Sequence, residues 1–350
     1  MCFKICLLII DISIVSVNVK HDICNKRNER IDSIKFFLML LVIAGHVLSQ
    51  IDTLWPSDYS RVAWQWIYIF HMPLFIVLSG YFSHKKSIKG FFSSTLRLLE
   101  PLLLFQIAYI IINQAFSISD ILTPWWILWY LLSLIFWRIM LQFIPQRILE
   151  REKTVVYVTF AIGIVAGFLP LTKFLSLQRT FAFLPFFFLG YYARKKNLIN
   201  KYLEHKSHSI LFFSILFLVS TIIIPYLSPR FLGDLRQSMP YHSIYSMFCR
   251  LFVYCLSIPM AISFIIVCPH NNTFAKQGRY TMQYYLLHSL FVICLIQLLQ
   301  AINQPLATSF VAALLYTFLI VAIIWGLSYL PFFDKITNPL LFFLEKRKTL

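Results

Sequence analysis

The chain has 350 residues, of which 59% are apolar and 13% charged, with a mean hydropathy of +0.74 and a formal charge of +17. A soluble domain carries about 25% charged residues, and a disordered chain lacks the 35 Phe, 18 Tyr and 8 Trp found here. Nucleic acid is excluded as a partner, because a nucleic-acid-binding face needs its Lys and Arg on one solvated surface; here they stand in short clusters between apolar runs. That is the pattern of an all-α polytopic membrane protein.

A spanning helix needs about 20 mostly apolar residues. Residues 1–19 hold Lys4 and an apolar run that Asp11 interrupts, with no small-residue cleavage site behind it. We expect an interfacial segment there, or the product of an upstream start, and treat 1–29 as an extension of uncertain role. Ten candidate spans follow in order: 34–51, 64–83, 96–116, 125–144, 154–171, 180–193, 209–227, 244–268, 280–301 and 307–330. The connections are too short for a soluble domain, so residues 30–334 form one helical membrane domain with a basic tail at 335–350. Seven scattered cysteines without a C-x-x-C pair give neither a disulfide framework nor a metal site.

With residue 30 in the cytoplasm, 21 Lys and Arg fall on the inner side of this layout and five (Arg61, Lys173, Arg179, Arg230 and Arg236) on the outer side. The asymmetry places both ends of the core in the cytoplasm and accounts for the net charge.

Ionisable groups inside spans mark pathways or active sites. They are Lys35, His46, His71, Glu100, Arg138, Arg250 and His288. Eleven residues separate Lys35 from His46, about three helical turns, so both project from one face roughly 16 Å apart, with Lys35 at the inner edge. His46 and His71 each lie 12 residues from the inner edge of their span, at Ile34 and Ser83, and therefore share a depth. For a single histidine, a hydrogen bond to a neighbouring helix is an equally good reading. Two at one depth with a cation below favour a site. Arg138 is expected to snorkel, Ser79-Gly80 to allow close helix approach, and Trp125, Trp126 and Trp129 to form an interfacial belt, with sugar stacking as the sharper alternative.

Arg30-Ile-Asp-Ser-Ile-Lys35 followed by FFLMLLVIAGHVL resembles the opening of the acyltransferase family 3 membrane proteins, in which Arg or Lys, ten intervening residues and then His stand on the first helix. FHMPLFIVLSGYF (Phe70–Phe82) is similar to the second helix of that family. PWWILWYLLSLIFWRIM (Pro124–Met140), LPFFFLGYYARKK (Leu184–Lys196) and GRYTMQYYLLHSLFV (Gly278–Val292) resemble its fucose 4-O-acetylase-like branch. One departure concerns the Arg-x-x-Arg pair before the third helix. Arg97 matches its second member, Ser94 stands at the first, and Lys89 is the nearest replacement charge.

The resemblance implies a multi-pass protein of the bacterial inner membrane that moves an acetyl group from cytosolic acetyl-CoA to a hydroxyl of a surface-glycan or lipid-linked sugar. On that basis His46 and His71 are the expected catalytic residues, with His46 as general base; a covalent acetyl-His stays open. Lys35, Arg97 and Lys89 are expected to bind the CoA phosphates, and Arg250 and His288 the acceptor. The expected partners are acetyl-CoA, a carbohydrate acceptor and membrane lipids, with no metal. A transporter or flippase of a glycan precursor is the alternative, although the Lys35/His46 pair has no counterpart in the second half. A non-catalytic assembly partner is a third reading.

Overall fold

A computed structural model describes residues 28–114, 116–169, 174–199, 240–241, 243–302 and 309–330, with residues 215, 218, 219, 222, 332, 333 and 337. Every regular element among them is helical. The long helices are α1 (Glu29–Leu54), α2 (Asp58–Phe82), α3 (Ile88–Ile112), α5 (Trp129–Phe143), α7 (Glu152–Val165), α8 (Leu177–Lys195), α9 (Ile244–Val267), α11 (Thr281–Ile302) and α12 (Phe310–Leu327). Short α4 (Ile118–Leu122), α6 (Gln146–Leu149) and α10 (Asn272–Gln277) sit in the connections, and a 3-10 turn at Trp126–Leu128 leads into α5.

The sequence explains where these helices begin. Asn28 caps α1, its side chain accepting from the Arg30 and Ile31 amides at 3.1 and 3.2 Å, and Glu29 and Asp32 sit in the first turn, where a carboxylate favours the helix dipole. Ser87 and Ser309 cap α3 and α12 in the same way. Pro73, Pro101, Pro185 and Pro259 lie inside helices, which a packed membrane bundle tolerates by satisfying the freed carbonyls with side chains. Ser257 of α9 does so for the Ile69 carbonyl of α2, which Pro73 leaves without its helical N–H partner, at 2.5 Å.

Seven helical stretches are long and apolar enough to cross a membrane among the described residues, so the chain is a multi-pass membrane protein. The tally differs from the ten predicted spans for physical reasons. The fifth, α7, has 14 residues, about 21 Å of helix against a hydrocarbon core of about 30 Å. The sixth, α8, is long enough at 19 residues but carries Gln178, Arg179, Arg194 and Lys195 within it. The seventh, 209–227, lies outside the described residues except for 215, 218, 219 and 222, as do 1–27 and almost all of the basic tail.

The bundle is organised on α2, which packs most extensively against α8 and α1. Two glycines bring α2 and α8 together. A Cβ on Gly80 would stand 1.9 Å from the Phe187 carbonyl oxygen, and one on Gly190 would stand 1.9 Å from the Val77 carbonyl oxygen. The helices therefore cross backbone to backbone, as small residues allow in membranes. That close crossing, with α1 also packed on α2, sets the histidines of α1 and α2 against the N-terminal half of α8.

Candidate active site

His46 on α1 and His71 on α2 line one cavity of about 130 Å³, together with Ser49, Gln50, Tyr68, Met72, Trp126, Trp129, Arg179 and Phe183. The depth matching made from sequence thus corresponds to a shared cavity. It lies toward the ends of the bundle that the charge asymmetry puts outside: Trp126 opens the 3-10 turn before α5, and Arg179 is the third residue of α8.

A closed hydrogen-bond loop orients the His46 ring. His46 Nδ1 lies 3.3 Å from the Tyr68 hydroxyl, that hydroxyl lies 3.1 Å from Ser49 Oγ, and Ser49 Oγ donates to the His46 carbonyl at 3.2 Å. Because the Ser49 proton is committed to a carbonyl, Ser49 accepts from Tyr68, and Tyr68 in turn accepts from His46 Nδ1–H. This polarity leaves the lone pair on Nε2. His71 is fixed more simply: its Nδ1 donates to the Ile67 carbonyl at 2.7 Å.

The structure adds a third imidazole. His288 of α11 is fully buried, and its ring stacks on that of His46 with centroids 5.3 Å apart and planes 28° from parallel. Its Nδ1 donates to the Tyr284 carbonyl at 2.8 Å, so its lone pair also sits on Nε2, an atom buried without a hydrogen-bond partner. Trp126 closes the other side of His46, edge-on at 4.9 Å. It adopts φ 35°, a backbone conformation costing a bulky residue roughly 1–3 kcal/mol. The turn is held by the Trp125 amide on Gln106 Oε1 at 2.9 Å and by the Tyr285 hydroxyl on the Ile127 carbonyl. Arg179 lies over the Trp129 ring at 4.9 Å, a cation–π pair at the cavity wall.

The tryptophans therefore require a correction. Trp126 and Trp129 face the histidine cavity, and only Trp125, stacked on Tyr109 at 6.4 Å, stands apart from it. Arg179 was counted only as an outer-face cation; its place two residues into α8 was the signal that it could reach inward.

The cations expected to meet CoA separate. Lys35 is engaged: its ammonium sits 3.1 Å from the carboxylate of buried Asp32 and 4.4 Å from the Phe82 ring centroid. Lys89 is exposed on the first turn of α3. Arg97 belongs to a cluster that the sequence did not assemble. Lys86 is held below the ordinary lysine pKa, first by burial and then by the charges of Arg138 and Arg97. His84 is likewise lowered by partial burial and then by Arg194, Lys86 and Arg138. Five basic side chains thus crowd one place at the C-terminal ends of α2, α5 and α8 and the N-terminal end of α3. Arg138, half-buried, points its charge into this cluster rather than merely snorkelling. Like charges held together form a ready anion site.

A ladder of rings joins this cluster to the histidines. Arg138 lies within electrostatic reach of Tyr130, whose hydroxyl meets Ser79 Oγ at 2.6 Å. Tyr130 packs on Tyr285 at 5.5 Å, Tyr285 on His288 at 6.4 Å, and His288 on His46. Ser79 donates to the Phe75 carbonyl at 2.8 Å, which makes it a structural hydroxyl. Arg250 sits apart from the cavity, fully buried against α7.

A family described as acyltransferase domain matches residues 28–329. The nodulation protein NolL of Mesorhizobium japonicum is 28% identical over 192 residues, covering 48% of this chain and 48% of that protein. NolL of Sinorhizobium fredii is 27% identical over 209 residues, covering 52% and 54%. The chain thus spans about half the length of these curated relatives. No solved structure matches.

Proposed function

We propose that this chain, which belongs to the acyltransferase family matched over residues 28–329, transfers an acetyl group from acetyl-CoA, bound at the cytoplasmic face, to a hydroxyl of a surface-glycan or lipid-linked sugar entering from the opposite face of a bacterial inner membrane. The observation that carries this reading is the His46–Tyr68–Ser49 loop, which presents a basic Nε2 at a cavity walled by tryptophans. Indole faces and edges suit the apolar faces of a sugar ring, and Arg179 and Gln50 supply hydrogen-bond donors beside them.

In the proposed reaction His46 Nε2 removes the proton from the acceptor hydroxyl as its oxygen bonds to the acetyl carbonyl carbon. The carbon–sulfur bond of the thioester breaks, and the departing thiolate recovers the proton from the His46 imidazolium. His288, stacked against His46 with its own Nε2 lone pair, stabilises the transient positive ring. His71, across Tyr68 at 5.0 Å between ring centroids, stands at the cavity wall and positions the acceptor. The Lys86, Arg97 and Arg138 cluster fits the CoA phosphates, because its mutual repulsion is relieved by an anion. The Tyr130–Tyr285–His288 ladder gives the acyl-bearing arm a course toward His46.

The test is His46→Ala in purified protein supplied with labelled acetyl-CoA and glycan acceptor. A general base contributes about 10²–10⁴-fold. Transfer should fall by that range with the fold retained, and a near-normal rate in a folded variant would return His46 to a packing role.

A further inference from the structure

The outer ends of α7, α8 and α9 enclose a second polar centre, about a helix away from the histidine cavity. Its core is Arg250 of α9, 0% exposed. One guanidinium nitrogen, Nη1, donates to the Gly163 carbonyl of α7 at 3.0 Å, and the guanidinium carbon lies 4.5 Å above the Tyr241 ring. The Tyr241 amide donates to the Gly167 carbonyl at 2.6 Å, which pins that ring at the end of α7. The remaining nitrogens, Nε and Nη2, are buried with no hydrogen-bond partner. These two N–H groups lie on one edge of the guanidinium, side by side and parallel, the edge that grips a carboxylate or phosphate through two oxygens.

Gln178 of α8 belongs to the same layer. The Tyr254 hydroxyl donates to the Ala182 carbonyl, and one helical turn outward from that bond stand Arg250 on α9 and Gln178 on α8. Gln178 is 0% exposed, and neither its amide nitrogen nor its amide oxygen has a partner. No carboxylate pairs with Arg250 among the described residues. A guanidinium buried in a bilayer with two donors unspent is strongly unfavourable, so this arrangement calls for an anion.

Its level in the bundle indicates which anion. Ser257 of α9 donates to the Ile69 carbonyl of α2 at 2.5 Å, which registers the two helices. Arg250 lies seven residues outward of Ser257, and His71 two residues inward of Ile69, so Arg250 stands roughly 13 Å outward of His71 along the bundle. That separation suits an anionic group one or two sugar units from the hydroxyl that reacts.

We propose that Arg250, with Tyr241 beneath it and Gln178 in the same layer of the bundle, is an oxyanion subsite for the acceptor, taking a phosphate or carboxylate through the unpartnered Nε–Nη2 edge. The proposal rests on the transferase reading above for the identity of its occupant, and it makes the substrate an acidic glycan unit. The oxyanion has two chemical sources, the phosphate that joins a sugar to a polyprenyl lipid and the carboxylate of a uronic acid.

Binding without acetyl-CoA tests the subsite independently of transfer. Wild type, Arg250→Gln and Arg250→Lys are placed in uncharged phosphatidylcholine nanodiscs and titrated with polyprenyl phosphate, a methyl glucuronide and a neutral methyl glucoside. One of the two anions should bind Arg250→Gln at least about tenfold more weakly than wild type, as loss of a charge-assisted pair of hydrogen bonds requires. Arg250→Lys, which keeps the charge but not the fork, should fall between. The neutral glycoside should bind all three alike, and the anion that responds identifies the source. Equal anion binding by all three proteins would overturn the proposal. So would an Asp234→Asn variant that loses thermal stability as Arg250→Gln does while no anion binds, since Arg250 would then be neutralised from within the chain. If His46→Ala fails to abolish transfer, these binding differences stand unaffected; if they vanish, acetylation of neutral acceptors still tests the transferase reading.

Discussion

Tyr68→Phe separates an oriented base from a merely buried histidine. The substitution removes one oxygen, the acceptor of His46 Nδ1–H at 3.3 Å and the donor to Ser49 at 3.1 Å. The ring and its packing against Trp64 at 5.2 Å and His71 at 5.0 Å stay in place. A neutral hydrogen bond stabilises by about 0.5–1.5 kcal/mol, and the His46–Tyr68 bond is long, so about 1 kcal/mol is the appropriate figure. At about 1.4 kcal/mol per factor of ten, the tautomer with its lone pair on Nε2 loses roughly fivefold in population. kcat should fall by about that factor, KM for both substrates should hold, and the profile against pH should keep its shape. Steady-state kinetics on purified protein reads all three. A loss above about 10²-fold would mean that Tyr68 itself handles the proton or touches the reacting carbonyl. An unchanged kcat would mean that the loop does not set the His46 tautomer.

Lys35→Ala should lower thermal stability, because it leaves the buried Asp32 carboxylate without its cation. Lys35→Ala/Asp32→Asn should recover part of that loss, and acetyl-CoA affinity should fall less in Lys35→Ala than in Arg138→Gln; the reverse order would restore Lys35 as a donor-site residue. Gly80→Ala places a carbon 1.9 Å from the Phe187 carbonyl oxygen, so α2 and α8 must separate by more than 1 Å; a melting temperature within a degree of wild type would contradict the crossing. In a magnetic-resonance titration His84 should change charge at a pH below the ordinary histidine value, because burial and the Arg194, Lys86 and Arg138 charges oppose its protonation. Adenosine 3′,5′-bisphosphate, by neutralising that cluster, should move the midpoint up; an unmoved midpoint would place the phosphates elsewhere.

The helical elements were legible because hydropathy reports them directly, and a run of about 20 apolar residues has few alternatives. α7 shows the limit. Its apolar run at 154–171 reads as a span, yet the regular helix stops at Val165 and tightens into a 3-10 turn at Ala166–Phe168, where Gly167 receives Tyr241. Apolar composition carries no mark of a helix that ends early to make room for a ring from a distant segment. The Gly80 crossing was legible for the opposite reason, since a small residue in a membrane helix has one usual purpose.

The same distinction governs the site. Counting residues from a helix end gives depth, so His46 and His71 could be matched before any contact was known. Rotation about each helix axis and the order in which helices pack are not in the count. His288 joins them because α11 as well as α2 packs on α1, and no spacing within one helix encodes that. Charge is harder still. Lys35, Lys89 and Arg97 were grouped by proximity to the inner edge, but an edge is a ring around the whole bundle. Asp32 takes Lys35 through an i,i+3 contact within α1, whereas only packing decides that Lys86, Arg138 and Arg97 face one another. Arg250 follows the same rule: its sequence position marks it as expensive, and the helices around it bury one edge of its guanidinium without a hydrogen-bond partner. What the sequence identifies is the set of groups too costly to bury idly; the fold then determines which of them meet each other and which await a ligand.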